Sequence, residues 1–294
     1  MKRSPATLLL VLLLGLLHNA LAFAAGGQQD ASVRELLIGE RAVQVWQWQP
    51  GEQPARGVIL FSHGASSAPW KYEPLFDQWL EAGYEIRAPL HVDSTDHPRQ
   101  ADFPGMASWK ARLEDMQALS AELGEKTYIA AGHSYGALLA LTLGGAEANL
   151  PEGLSAPLAD PKATVVLAFS PPPTLPGLIS KEGYSTLARP ALIQTGTLDI
   201  PMSTDGGWEP HLDAYEAAAS GGERYGLVLE GVDHYFGGAI CRPELPGPKQ
   251  LAQLETAGAL SLLMIHGLGE GDGEARKALD SAVTDQGPTV LMHK

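Results

Sequence analysis

One serine of this chain stands in a setting that could make it a nucleophile. Residues 132–136 read Gly-His-Ser-Tyr-Gly, which fits the pattern G-x-S-x-G with Ser134 at its centre. A serine hydroxyl attacks a carbonyl poorly at neutral pH until a neighbouring base takes its proton. The pentapeptide alone occurs often by chance, so its meaning depends on the segments that surround it.

Those segments predict a strand, a tight turn and a helix around Ser134. The apolar residues 127–131 precede the pentapeptide, and the Ala/Leu-rich residues 134–143 leave it directly. In such a turn the glycines at 132 and 136 avoid collision with the neighbouring strand and helix. The positive end of the helix dipole would lie behind Ser134 and favour an anion there. Ser134 is therefore the predicted nucleophile.

A carboxylate and an imidazole follow two later predicted strands. Asp199 comes shortly after residues 191–195, and His234 follows residues 225–229. Because the carboxyl ends of parallel strands meet at one edge of a sheet, we expect both side chains near Ser134. His234 would then take the proton of the serine, and Asp199 would orient the imidazole.

Other side chains compete for these two roles. Asp205 lies in a Gly-rich loop further from the strand end, and Asp233 adjoins His234 but would direct its carboxylate elsewhere. His97 and His211 are alternatives for the base. His133 is expected to point away from the site because it precedes the nucleophile within the turn.

The loop after the strand at residues 57–61 could bind a developing oxyanion. Residues 61–67 read Phe-Ser-His-Gly-Ala-Ser-Ser, and an H-G-x loop at this place supplies a backbone N–H. Ala65 is the predicted donor by position, and Tyr135 is the predicted second donor. His63 is interpreted as a structural hydrogen-bonding residue of the loop and not as a base.

Two side chains are candidates for the substrate pocket. Trp70 follows the oxyanion loop closely and could line an acyl site. It could equally be a residue that packs in the hydrophobic core. His91 follows the predicted strand that ends at Pro89 and could reach the edge of the cleft.

The sequence predicts no metal ion and no cofactor. Four possible ligands crowd together, but neither H-E-x-x-H nor a cysteine-rich spacing is present, so a solvated polar loop is favoured; they are His91, Asp93, Asp96 and His97. The chain has one cysteine, Cys241, which cannot form an intrachain disulfide and is predicted to be a buried or incidental thiol.

Apolar strands alternate with helical segments from about residue 57 onward. This alternation predicts one α/β domain over residues 25–294, with a mostly parallel central sheet and helices on both faces. Residues 145–162 and 171–190 are candidates for a cap over the site. They could equally be surface segments with no role in catalysis. The second of these begins with three consecutive prolines, which exclude a regular strand or helix there.

The first 24 residues resemble a secretory signal peptide. Lys2 and Arg3 precede an apolar run at residues 8–17, and small residues at Ala22 and Ala24 suit cleavage. The run is short for a membrane anchor, so we expect a secreted or periplasmic protein without a stable anchor after cleavage. A formal charge of −14 argues against nucleic acid and anionic membranes as partners, whereas 45% hydrophobic residues allow a sizeable core.

Four short segments together resemble the α/β-hydrolase superfamily. They are residues 132–136, 62–67, 196–201 and 231–235, and the resemblance covers roughly residues 42–268. The loop at 62–67 and the helix after Ser134 look like the bacterial dienelactone-hydrolase-like and chlorophyllase-like branches. True dienelactone hydrolases use a cysteine nucleophile, so a serine at 134 favours ordinary ester chemistry.

The resemblance implies a secreted serine hydrolase of small-molecule esters. In that mechanism His234 deprotonates Ser134, the Ala65 and Tyr135 amides hold the oxyanion, and Asp199 fixes the imidazole tautomer. Water activated by His234 would then release the acyl group. A serine peptidase or amidase on the same fold is an alternative, and so is a catalytically silent protein that binds a ligand.

Overall fold

The strands of the described residues form one nine-stranded sheet. The computed structural model describes residues 31–51, 53–103, 107–201 and 206–294. In chain order the strands are β1 (Ser32–Ile38), β2 (Arg41–Trp48), β3 (Gly57–Ser62), β4 (Tyr84–Pro89), β5 (Tyr128–His133), β6 (Ala163–Phe169), β7 (Ala191–Gly196), β8 (Arg224–Leu229) and β9 (Thr289–His293). Their spatial order is β1-β2-β4-β3-β5-β6-β7-β8-β9. The proposed signal segment, residues 1–24, and the alternative acid Asp205 lie outside the described residues.

The centre of the sheet is parallel. Strands β4, β3, β5, β6, β7 and β8 pair in parallel, whereas β1, β2 and β9 join at the two edges in antiparallel pairs. Strands β5, β7 and β8 are buried along their whole length. This double burial explains why their sequences are continuous apolar runs without alternation.

Helices cover both faces of the sheet, so the predicted fold class is confirmed. The helices are α1 (Glu73–Glu81), α2 (Ser108–Glu122), α3 (Tyr135–Leu143), α4 (Lys181–Ser185), α5 (Asp213–Ala217), α6 (Leu251–Met264) and α7 (Gly273–Ser281). One core cluster contains buried residues of α2 and α3, including Met116 and Leu138. The other contains buried residues of α1, α6 and α7, including Trp79, Met264 and Leu279.

Helix α6 continues into a π-helical turn at Ile265–Gly269. Leu251–Gly269 is long and apolar enough to cross a membrane by length and composition alone. In this fold Leu254, Ala257 and Met264 are buried in the core cluster on the α1 side. Burial in this core therefore accounts for only part of the apolar character of the helix.

The two candidate cap segments are joined to each other. The Glu147 amide donates to the Gly183 carbonyl at 2.9 Å, and the Asn149 amide donates to the Leu178 carbonyl at 2.7 Å. The Trp109 indole N–H of α2 donates to the Asn149 carbonyl at 3.2 Å. The segments thus form one irregular layer beside α2.

Candidate active site

The turn between β5 and α3 holds Ser134 in a strained conformation. Its φ is +55° and its ψ is −120°, a combination that costs a residue with a side chain about 1–3 kcal/mol. A Cβ atom at Gly132 would overlap the Gly136 carbonyl, and one at Gly136 would overlap the Ser62 carbonyl. Both positions therefore require glycine.

Backbone hydrogen bonds fix this turn to the sheet. The Ser134 amide donates to the Phe169 carbonyl of β6 at 2.8 Å. The Ser134 carbonyl accepts from the Ala137 and Leu138 amides at 2.9 and 3.2 Å, so helix α3 begins directly at the serine. Its side chain is half-buried at the carboxyl edge of the parallel strands.

Asp199 and His234 form a hydrogen-bonded pair at the same edge. His234 Nδ1 lies 2.7 Å from Asp199 Oδ1, and the Thr195 hydroxyl donates to Asp199 Oδ2 at 3.0 Å. A carboxylate accepts only, so His234 Nδ1 carries the proton and its Nε2 is left as the basic atom. Asp199 is fully buried, whereas the His234 side chain is 23% exposed.

The contacts of Asp199 keep it ionised. Burial acts to raise the pKa of the carboxyl group, but its contacts with His211 and His234 outweigh burial and hold that pKa well below the ordinary value. The pair therefore presents a buried negative charge to one side of the His234 ring, where it would stabilise an imidazolium.

The loop that carries His234 lies against the turn that carries Ser134. The His133 ring centroid is 4.7 Å from that of His234, and His133 Nε2 lies 2.8 Å from the His234 carbonyl oxygen. The Ser134 hydroxyl itself makes no hydrogen bond to any residue that the structure describes. The structure thus joins two predicted triad members by a hydrogen bond and places the third in the adjoining turn.

His211 contacts the same carboxylate from another side. Its Nε2 lies 2.9 Å from Asp199 Oδ1, within ion-pair distance but off the line of a good hydrogen bond. Its Nδ1 lies 2.6 Å from the Pro171 carbonyl, and the ring stacks on His234 with centroids 5.5 Å apart. Both ring nitrogens of His211 therefore face protein oxygen atoms, which does not suit the role of a base for Ser134.

The ligand atoms of Asp199, His211 and His234 lie within 4.8 Å of one another, which is close enough to hold a metal ion. The His234–Asp199 hydrogen bond accounts for this closeness without one. The other cluster that resembles a ligand set has protein partners instead. Asp93 binds Arg112, and Asp96 binds Lys71 at 2.9 Å.

The two predicted oxyanion donors are available. The amides of Ala65, on the exposed loop after β3, and of Tyr135, the first residue of α3, donate to no group among the described residues. Both residues line one cavity of about 290 Å³. The rest of its lining is mixed polar and apolar and comprises Ser66, Asp93, Gln100, Ala101, Phe103, Ser108. The lining thus includes the residues of both predicted donors but neither Ser134 nor His234.

His91 does not reach this cavity, so its predicted contact with substrate is wrong for this structure. The residue is fully buried, and His91 Nε2 lies 2.9 Å from the Ser62 hydroxyl. Its Nδ1 lies 2.7 Å from Asp115 Oδ2. Ser62, His91 and Asp115 thus form a second serine–histidine–aspartate set, which is closed to solvent beneath the oxyanion loop.

Trp70 is partly buried at the border of the core and is absent from the lining of the cavity described above. Its ring packs on Trp46 with centroids 4.5 Å apart, and both border the core cluster on the α1 side. The sequence alone does not distinguish a pocket position from a core position for Trp70, because the two differ only in the direction of the side chain.

The remaining candidate residues have structural partners. Asp233 Oδ1 accepts from the Tyr235 and Gly237 amides at 2.8 and 3.1 Å, which stabilises the His234 loop. His63 is buried, and its Nδ1 lies 2.7 Å from the Gly64 carbonyl. Cys241 is a buried free thiol.

Sequence reasoning misses the charged residues beneath the oxyanion loop, above all Arg112 and Asp115 of α2. Both are fully buried although charged side chains usually face solvent. The available signal is weak, namely two charges on the apolar face of an amphipathic helix.

Comparison with known proteins agrees with the geometry of the sheet and the turn. Residues 59–282 match the model of a family described as the alpha/beta hydrolase family. No curated protein sequence matches the chain.

Several solved structures share the fold. Thermogutta terrifontis esterase 2 phosphoramylated by tabun has a TM-score of 0.59 and 16% identity, covering 82% of this chain and 96% of that one. Est1E from Butyrivibrio proteoclasticus with ferulic acid bound has a TM-score of 0.57 and 12% identity, and the match covers 79% of this chain and 99% of that one. A dienelactone hydrolase from Anabaena variabilis has a TM-score of 0.53 and 15% identity, and the match covers 79% of this chain and 96% of that one. At these identities the likeness concerns the fold.

Proposed function

The chain belongs to the α/β-hydrolase family, and we propose that it is a serine hydrolase of carboxylic esters that acts through Ser134, His234 and Asp199. The observation that carries this proposal is the coincidence at one sheet edge of three features. They are the strained serine, the buried carboxylate bonded to an accessible imidazole, and two amides that donate to no described group.

In the proposed reaction, ester binding turns the Ser134 hydroxyl toward His234 Nε2. Catalytic hydrogen bonds are often long in the free enzyme and shorten in the complex, so the unbonded hydroxyl is compatible with this step. His234 takes the proton as Ser134 Oγ attacks the acyl carbon. Asp199 stabilises the resulting imidazolium, and His234 then protonates the departing alcohol.

The second half of the reaction reverses these roles. A water molecule gives its proton to His234 Nε2 and attacks the acyl carbon of the Ser134 ester. The free acid leaves, and the proton returns to Ser134. In both halves the Ala65 and Tyr135 amides would bind the oxyanion of the tetrahedral intermediate.

The cavity beside these amides supports a small or medium acyl group. A volume of about 290 Å³ lies at the lower end of the usual range for small-molecule sites. Phe103 and Ala101 supply apolar surface, whereas Gln100, Ser66 and Ser108 supply polar groups. This mixture suits short esters better than long aliphatic chains.

The test is hydrolysis of a p-nitrophenyl ester series from acetate to octanoate, with the matching p-nitroanilides, by wild type and by Ser134→Ala as the background control. We expect the short esters to react fastest, the anilides to react far more slowly, and the variant to be inactive. Anilide turnover comparable to ester turnover would favour the amidase alternative. A folded wild-type protein that hydrolyses nothing would favour the silent binding protein.

We also propose export with cleavage near Ala22 or Ala24, on the signal-like residues 1–24. Cell fractionation and N-terminal sequencing of the mature protein would test this. An uncleaved chain in the cytoplasm would contradict it.

A further inference from the structure

Arg112 is a buried cation for which the proposed reaction as described above has no role. Its side chain is fully buried in α2, and an uncompensated charge there would cost several kcal/mol. Its guanidinium has five N–H donors, and five acceptors surround it. They are Asp93 Oδ1 at 2.7 Å, Asp93 Oδ2 at 2.9 Å, Ser62 Oγ at 3.2 Å, the His63 carbonyl at 2.8 Å and the Gly64 carbonyl at 3.2 Å.

One of these bonds acts directly on the first oxyanion donor. The Gly64 carbonyl and the Ala65 N–H belong to the same peptide unit, which is planar and trans, so the two groups point in opposite directions. Arg112 holds the carbonyl on the buried side at 3.2 Å. The Ala65 N–H of the same peptide therefore points away from Arg112.

A second bond to the same carbonyl strengthens this hold. His63 Nε2 accepts from the His91 amide at 3.0 Å, so the proton of the neutral ring is on Nδ1, which donates to the Gly64 carbonyl at 2.7 Å. The Ser67 amide donates to the same carbonyl at 3.2 Å, and three donors on one carbonyl polarise the peptide and make its N–H a better donor.

Asp93 extends the clamp to the other side of Ala65. Its Oδ2 accepts from the Ser66 amide at 3.2 Å while it binds Arg112. Burial acts to raise the pKa of Asp93, but Arg112 outweighs burial and lowers it, so the partner stays ionised. The peptide on each side of Ala65 is thus fixed by the same ion pair.

Arg112 also contacts the second donor. Its guanidinium carbon lies 4.6 Å from the centroid of the Tyr135 ring, a cation–π distance. Tyr135 begins α3 and supplies the other free amide of the cavity. One side chain therefore touches the elements that carry both donors.

We propose that Arg112 is a positioning residue that sets the distance and direction of the two oxyanion donors, Ala65 N–H and Tyr135 N–H. This inference rests on the proposed ester hydrolysis. The plainer alternative is a buried ion pair that contributes to stability alone.

The test compares Arg112→Lys with wild type in short-ester hydrolysis and in inhibition by a trifluoromethyl ketone, whose tetrahedral adduct places an oxyanion in the site. Lysine keeps the charge but has three donors and no planar fork. We expect kcat to fall about 10²-fold or more, as on loss of an oxyanion donor. The affinity for the ketone should fall in parallel, while KM and inhibition by the product carboxylate change less than about threefold.

Arg41→Lys is the matched control. Arg41 contacts the same helix through Asp115, Glu114 at 3.2 Å and the Ala111 carbonyl at 3.2 Å, but no described bond joins it to the oxyanion loop. We expect a lower melting temperature with kcat and ketone affinity within about twofold of wild type.

Asp93→Asn decides the question if Arg112→Lys does not fold. This variant keeps the shape of the side chain and removes the charge that orients the guanidinium, so kcat and ketone affinity should again fall together, by about tenfold. The inference is overturned if the variants that fold lose melting temperature but keep both quantities, or if Arg41→Lys loses as much activity. An inactive wild type would overturn the proposed function first, whereas an active wild type with unaffected variants overturns this inference alone.

Discussion

Two regions of the molecule contain a serine, a histidine and an aspartate, and they differ in what is bonded and what is open. Hydrogen bonds join Ser62 to His91 at 2.9 Å and His91 to Asp115 at 2.7 Å, and all three residues are fully buried. At the sheet edge His234 and Asp199 are bonded at 2.7 Å, but the Ser134 hydroxyl in the adjoining turn makes no hydrogen bond to a described residue.

The closed set has the more complete hydrogen bonds, yet it lacks the features that would let it react. Ser62 ends an ordinary strand, its oxygen accepts from Arg112 at 3.2 Å, and no substrate can enter. Ser134 stands in a strained turn at the start of a helix, and the Ala65 and Tyr135 amides donate to no group among the described residues. The proposed nucleophile is thus the accessible serine with free donors nearby, and not the serine with the complete hydrogen-bond chain.

Serine replacement should separate the two sets most sharply. Ser134→Ala should lower kcat/KM for short esters on the order of 10⁴-fold or more, because the attacking oxygen is lost. Ser62→Ala should reduce kcat less than about tenfold but destabilise the fold by about 1–3 kcal/mol, since buried partners lose a hydrogen bond. Ester kinetics and urea unfolding of both variants check this. Equal losses of activity would break the comparison.

The aspartates should differ in the same direction with smaller effects. Asp199→Asn should lower kcat about 10³- to 10⁴-fold, because the amide cannot fix the tautomer that leaves Nε2 basic. Asp115→Asn should leave kcat within about tenfold of wild type and lower the melting temperature. Near-normal turnover of Asp199→Asn would move the acid role to another residue, Asp205 or Asp233.

Acid should weaken the buried region through its neutral histidines. Burial lowers the pKa of His63 and His91 well below the ordinary value and that of His133 to about 3. The unfolded chain therefore binds more protons than the folded one below about pH 6.5, and stability falls as the pH decreases from there. Asp115 opposes this, because burial raises its pKa to about 7 and the folded state gains one proton.

The net expectation is a loss of up to about 1.4 kcal/mol per pH unit for each proton by which the histidines exceed Asp115. Urea unfolding at pH 7 and pH 5 measures this loss of stability, and His91→Asn should lose less stability than wild type over that range. Stability that is constant or rises on acidification would show that these histidines are already charged in the folded protein.

The sequence predicts the open site better than the closed one for a physical reason. Ser134, Asp199 and His234 each follow a buried strand, and the parallel arrangement of strands β5, β7 and β8 places such residues at one edge. Short-range pattern and one topological rule are sufficient there.

The closed set depends on tertiary packing that no local pattern encodes. Asp115 lies 24 residues from its partner His91 along the chain, and Arg112 lies 50 residues from its partner Ser62. The burial of both α2 side chains depends on these distant partners. His91 is misread as a cleft residue for that reason. The edge strand β1 (Ser32–Ile38) escapes prediction because it is largely exposed and carries a weak apolar signal.

The central claim, that Ser134 and not Ser62 reacts, is tested most directly by peptide mapping after reaction with an alkyl fluorophosphonate. We expect one stoichiometric adduct, on the peptide that contains Ser134, and much slower labelling in His234→Gln. An adduct on another serine, or none on a folded protein that hydrolyses esters, would contradict it.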